Sequence, residues 1–147
     1  MAKINGFEFK GITTFKGHDG MLLFQANIYE NGKKIGFFSE DAWGGEERIE
    51  LIERDHEKEK TFREIAFHLI QLHDAQKDYK KALKKGYDTL AVIGDTYLAD
   101  YDFSEEPRLV DLSYSIMYDK HKEEIEKLAD GRKIRYFRNL EDFNIAL

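Results

Sequence analysis

The sequence predicts an α+β fold: an antiparallel β-meander of three to four strands, then two long helices with one or two additional strands. Three observations carry this. Between Phe7 and Ile52, strand-like runs alternate with glycine-bearing turns at short intervals. After Ile52 the apolar period changes from two to about 3.6. The chain has 147 residues, shows no internal repeat and no Pro/Gly/Ser-rich linker, and so is expected to form one domain, residues 1–147.

The elements follow in order. Phe7-Glu8-Phe9 and Ile12-Thr13-Thr14-Phe15 form the first expected strand, broken at Gly11, where glycine marks a bulge. Met21 to Tyr29 is the second. Glu30-Asn31-Gly32-Lys33 is a hairpin turn, because Asn-Gly accepts the positive φ values of a type I′ turn. Lys34 to Ser39 returns as the third strand. Glu47 to Ile52 is the candidate fourth, with Ile49 and Leu51 on one face and Arg48 and Glu50 on the other. Glu53 to Lys60 is densely charged and reads as a solvated connection.

Thr61-Phe62-Arg63-Glu64 has capping-box spacing and is expected to open a long helix. Phe62, Ile65, Ala66, Leu69, Ile70 and His73 make its apolar stripe. Lys80, Lys81, Lys84 and Lys85 suit the negative end of its dipole, and Gly86 stops it. Thr89 to Ile93 reads as a buried strand, and Tyr97 to Phe103 is compatible with another. Ser104-Glu105-Glu106-Pro107 is expected to open a second long helix, running to Asp130 before Gly131. Leu109, Leu112, Ile116, Met117, Ile125 and Leu128 would line its inner face. Ile134 to Phe137 is a last short strand, and Asn139 caps a terminal helical turn from Leu140 to Ala146.

Composition narrows the chemistry. The chain lacks cysteine, which removes disulfides, thiolate metal sites and cysteine nucleophiles. The net charge of −6 argues against a surface that tracks phosphates and is of ordinary size for a soluble domain. The N-terminus lacks the apolar segment of a signal peptide, and no apolar run approaches a membrane span, so a soluble, cytoplasmic protein is expected.

Candidate chemistry is sparse. Gly17-His18-Asp19-Gly20 sets an imidazole beside a carboxylate, the residue types of a base or metal ligand, but neighbours in a tight turn rarely converge on one target. Asp41-Ala42-Trp43-Gly44-Gly45 carries the single Trp, either a contact anchor or a core plug. His68 and His73 are five apart on a helix, whereas metal-binding pairs favour four, so no metal site is expected. Asp88, Asp95, Asp100, Asp102 and Asp111 form a loose acidic series whose spacing fits no nuclease motif. Phosphate-loop, dinucleotide and serine-hydrolase motifs are absent from the sequence. The hairpin and helix from Ile28 to Ala66 invite comparison with a double-stranded RNA-binding module. Yet Lys58, Lys60 and Arg63 alternate with Glu57, Glu59 and Glu64, so direct nucleic-acid binding is disfavoured.

Phe15-Lys16-Gly17-His18, Ala26-Asn27-Ile28-Tyr29, Asn31-Gly32-Lys33-Lys34-Ile35-Gly36 and Asp41 with Gly44-Gly45 span the first third of the chain. This pattern resembles small uncharacterised proteins of bacteriophages and bacterial mobile elements. The resemblance implies an accessory factor that blocks a host system, such as an anti-CRISPR inhibitor, by covering a surface of a host protein or protein–nucleic acid complex. The expected partner-binding residues are Lys16, His18, Asp19, Asp41, Trp43, Gly44 and Gly45, with no catalytic residue, cofactor or metal. Two other readings stand beside it: a small-molecule or nucleotide binder using the glycine loops, and a metal-dependent nuclease.

Overall fold

The structure, a computed structural model, describes residues 2–94 and 112–146. The chain runs β1 (Lys3–Ile4), β2 (Phe7–Lys16), β3 (Leu22–Glu30), β4 (Lys33–Ser39), β5 (Arg48–Leu51), α1 (His56–Lys84) and β6 (Thr89–Ile93). It continues with β7 (Leu112–Ile116), α2 (Tyr118–Ala129), β8 (Ile134–Phe137), a 3₁₀ turn at Leu140–Phe143 and β9 (Asn144–Ile145). The strands form a six-stranded sheet in the order β5-β4-β3-β2-β1-β9 and a three-stranded sheet in the order β7-β6-β8.

This corrects the expected architecture of a meander followed by two long helices. Among the described residues strands dominate, they belong to two sheets, and only α1 is long. Within the segment expected to be the second helix, Leu112–Ile116 is a strand and α2 begins only at Tyr118. Leu112, Tyr114 and Ile116 alternate with Ser113 and Ser115, a period of two that also satisfies part of a helical pattern. Pairing along the whole of β6, Thr89 opposite Ile116 through Ile93 opposite Leu112, decides for the strand. The expected strand at 97–103 and the helix start at 104–107 lie outside the described residues.

The large sheet is built from local hairpins. Asn31 and Gly32 both have positive φ, 50° and 82°, the geometry of a type I′ turn. At Gly11 (φ 63°) the β2–β3 register shifts between Lys10 and Thr13, forming the bulge. Phe24, Ala26 and Ile28 of β3 alternate inward. β1 folds back antiparallel on β2, and β9 then adds to it in parallel.

α1 starts earlier than its apolar stripe implies. Asp55 is its N-cap and accepts the Lys58 N–H at 3.0 Å. The 53–60 run is therefore largely helix, and Thr61 lies inside it. Lys58 reaches Glu30 at 2.9 Å, so the charged turns are fastened to the β3–β4 hairpin. α1 packs Phe62, Ile65, Ala66, Leu69 and Leu72 on the large sheet, where Phe62 meets Phe7, Phe9 and Phe38 at ring-centroid distances of 5.5–6.2 Å. β6 is buried on both faces. Leu90 and Val92 join the α1 core, while Ala91 and Ile93 pack with Ile125 and Ala129 of α2. The C-terminal turn is locked by Phe137 stacked on Phe143 at 4.3 Å. The Tyr79 hydroxyl also donates to the Arg138 carbonyl at 2.9 Å.

Candidate functional site

The β2–β3 and β4–β5 loops meet at one end of the large sheet. The His18 N–H donates to the Ala42 carbonyl at 2.6 Å, and the His18 ring stacks on Trp43 at 4.0 Å with 25° between planes. Trp43 is 75% exposed. It is therefore a loop side chain braced by a second ring, not a core plug.

The loops hold themselves in shape. Asp19 Oδ1 accepts the Met21 N–H at 3.0 Å. Asp41 accepts the Trp43 N–H on one carboxylate oxygen and the Gly45 N–H on the other, at 3.1 and 3.0 Å. The N–H groups of Gly17, Gly20 and Gly44 donate to the carbonyls of Met21, Gly17 and Asp41. A Cβ at Gly45 would collide with the Asp41 carboxylate, so this wrapping requires glycine there. Loop N–H groups that an anion would use are thus already engaged, several by carboxylates, and the nucleotide reading gains no support from this geometry.

All seven expected contact residues lie in these loops or at the end of β2, where Lys16 pairs with Leu22. His18, Asp19, Trp43, Gly44 and Gly45 are exposed, while Asp41 is half-buried beneath them. Two neighbours were missing from the expected set: Met21 and Leu22, 62% and 69% exposed. Leu22 shares the inward parity of Phe24 but lies beyond the end of the core. The strand pattern alone points it inward.

Beside the tip, a cavity of about 390 Å³ is lined by Phe15, Gln25, Ser39, Glu40, Glu46 and Arg48, with Asp41 and Ala42. Burial pushes the Glu40 carboxyl above the usual range, and nearby Glu47 adds to this against the lowering effect of the Phe24 N–H. That N–H donates to Glu40 Oε2 at 2.9 Å. Arg63 of α1 ties down the chain after the tip. Its Nη1 donates to the Glu47 carbonyl at 2.7 Å and lies 3.5 Å from Glu46.

Two of the other histidines, His68 and His121, lie in structural surroundings. His68 is buried on α1, and burial holds its pKa below the ordinary value. His121 Nδ1 accepts the Met117 N–H at the start of α2. Among the described residues no group of three or more His, Asp or Glu is placed to hold a metal. Asp88, the one described member of the acidic series, accepts from the Thr89 hydroxyl at 2.7 Å and the Tyr118 N–H at 2.9 Å. The other four, Asp95, Asp100, Asp102 and Asp111, lie outside the described residues. Among the described residues no helix is long and apolar enough to cross a membrane. No protein-family model, curated protein or solved structure matches the chain.

Proposed function

We propose that the chain is a noncatalytic protein-binding factor that acts by covering a partner's surface with the tip formed by residues 16–22 and 41–45. The observation that carries this is the exposed Trp43 ring stacked on His18 above loops pinned by Asp19 and Asp41. A large ring fixed before contact loses little entropy on binding, which is why Trp is favoured at the energetic centre of interfaces. Met21 and Leu22 add apolar area next to it. On the phage resemblance of the N-terminal third, the partner belongs to a bacterial defence system and the effect is inhibition by occlusion.

The test is a comparative pull-down from bacterial lysate with wild type and Trp43→Ala, read by mass spectrometry and followed by titration of whatever is captured. The expected result is a partner whose affinity falls by about 2 kcal/mol or more in the variant. A captured partner that binds Trp43→Ala as tightly as wild type removes the tip from the interface.

A further inference from the structure

The cavity beside the tip lies on the face of the large sheet turned away from α1. Gln25, Ser39 and Arg48 stand directly opposite one another on β3, β4 and β5, and Phe15 stands opposite Leu23, two residues before Gln25. Residues opposite or two apart share a face, so Phe15, Gln25 and Ser39 project together, while Phe24 and Phe38 turn into the core. Glu40, Asp41 and Ala42 carry the wall onward into the tip loop. The cations nearby are engaged elsewhere. Arg48 lies 3.8 Å from Glu50, the next residue of its own face. Arg63 is shared among Glu46, Glu47 and Glu59 at 3.3–3.5 Å. Lys16 shares a face with Leu22 and so points away from Phe15.

This accounting leaves Glu40 with no ion pair among the described residues. It is half-buried, and only its Oε2 is engaged, by the Phe24 N–H at 2.9 Å. A half-buried carboxylate without a cation bears a desolvation cost that an incoming cation relieves. A guanidinium suits the lining better than an ammonium. It is planar and weakly hydrated, stacks on an aromatic face such as Phe15, and donates from its edge to a carboxylate and to an amide oxygen such as that of Gln25. The cavity wall is also the tip: the Ala42 carbonyl holds His18, and the Asp41 carboxylate holds the Trp43 N–H. A protein seated on Trp43 therefore lies beside the cavity, which favours its side chain over a free small molecule as the source. We propose that this cavity receives an arginine side chain of the protein that the tip covers. The proposal rests on the reading of the tip as a contact surface.

The test has two arms. The first titrates the full chain, isotope-labelled for NMR, with N-acetylarginine methylamide and with its citrulline analogue, which keeps the shape and lacks the charge. The arginine probe is expected to shift the Phe15, Gln25 and Ser39 signals. The citrulline probe should bind at least roughly tenfold more weakly, since it offers no charge-assisted hydrogen bond. Glu40→Gln keeps an acceptor for the Phe24 N–H and should weaken the arginine probe by a similar factor. Phe15→Leu, which removes the stacking face, should weaken it as well. Unmoved Phe15 and Gln25 signals through the tens of millimolar range expected of one side chain overturn the proposal. Equal binding of the citrulline probe, or of the arginine probe to Glu40→Gln, also overturns it. The second arm compares capture of the partner by wild type, Glu40→Gln and Trp43→Ala. Glu40→Gln should weaken capture roughly tenfold. A partner that holds Glu40→Gln as tightly as wild type overturns the proposal even where the free probe binds. A partner weakened by Glu40→Gln but indifferent to Trp43→Ala sinks the tip reading and leaves the arginine pocket standing. The probe arm needs no partner, so it decides the pocket where nothing is captured.

Discussion

Two aromatic assemblies in this protein have comparable ring geometry and opposite environments. Phe7, Phe9, Phe24, Phe38 and Phe62 interlock under α1 at 5.1–6.2 Å, all of them buried. His18 and Trp43 stack at 4.0 Å on the surface. In the first, apolar area leaves water on folding, and that transfer is the main stabilising term. In the second, most of the Trp43 surface stays in water, so its apolar area is still available to a partner. Ring contacts alone do not separate structural from functional aromatics. Burial does, and burial depends on whether a helix covers that part of the sheet.

The comparison breaks most visibly at Phe62. Phe62→Ala should cost about 3–5 kcal/mol in urea melts, because a fully buried ring leaves a cavity. Trp43→Ala should change stability by no more than about 0.5–1 kcal/mol. Equal losses at the two positions would falsify the division between core and tip.

Asp41→Ala probes the tip's own rigidity. It removes the acceptor of both the Trp43 and Gly45 N–H groups, so a loss of roughly 1–2 kcal/mol in the same melts is expected. The lone Trp makes fluorescence a local reporter. Its emission and quenching should change in Asp41→Ala and stay as in wild type in Leu83→Ala, an exposed position in the last turn of α1. A spectrum indifferent to Asp41 means the loop does not depend on that carboxylate.

Protonation sharpens the core side of the comparison. Burial lowers the His68 pKa in the folded chain, and burial with Lys77 beside it lowers that of His73. The unfolded chain therefore takes up these protons first as pH falls. Stability should be flat in this term above the ordinary histidine value of about 6.5. It should decline below that value, by at most about 1.4 kcal/mol per pH unit for His68, until the folded pKa is reached. Urea midpoints at pH 5 and pH 7.5 for wild type and His68→Gln check this. A wild-type pH dependence left intact in His68→Gln assigns the effect elsewhere.

The smallest expected effect is at the rim. Met21→Ser should leave stability within about 0.5 kcal/mol of wild type, because the side chain is largely exposed. It should still weaken capture of a partner by the tip, more than a matched change at exposed Leu140 on the far C-terminal turn. Equal effects at both positions mean that Met21 lies outside the contact.

The sequence by itself determined the hairpins of the large sheet, because each is set by neighbours in the chain. Asn31-Gly32 supplies two positive φ values, Gly11 absorbs the bulge, and alternation in β3 orients Phe24, Ala26 and Ile28. It also singled out both tip loops through their glycines and the lone Trp. Tertiary structure alone decided that the loops touch, since the His18–Ala42 bond and the ring stack join residues from separate hairpins. It also decided that Leu112–Ile116 is a strand, because β6 was there to pair with it, and that Asn144–Ile145 closes the far edge of the sheet beside β1. The physical reason is range. Turn and period signals act over a few residues, whereas strand order and the exposure of a loop Trp depend on what the rest of the chain places alongside them.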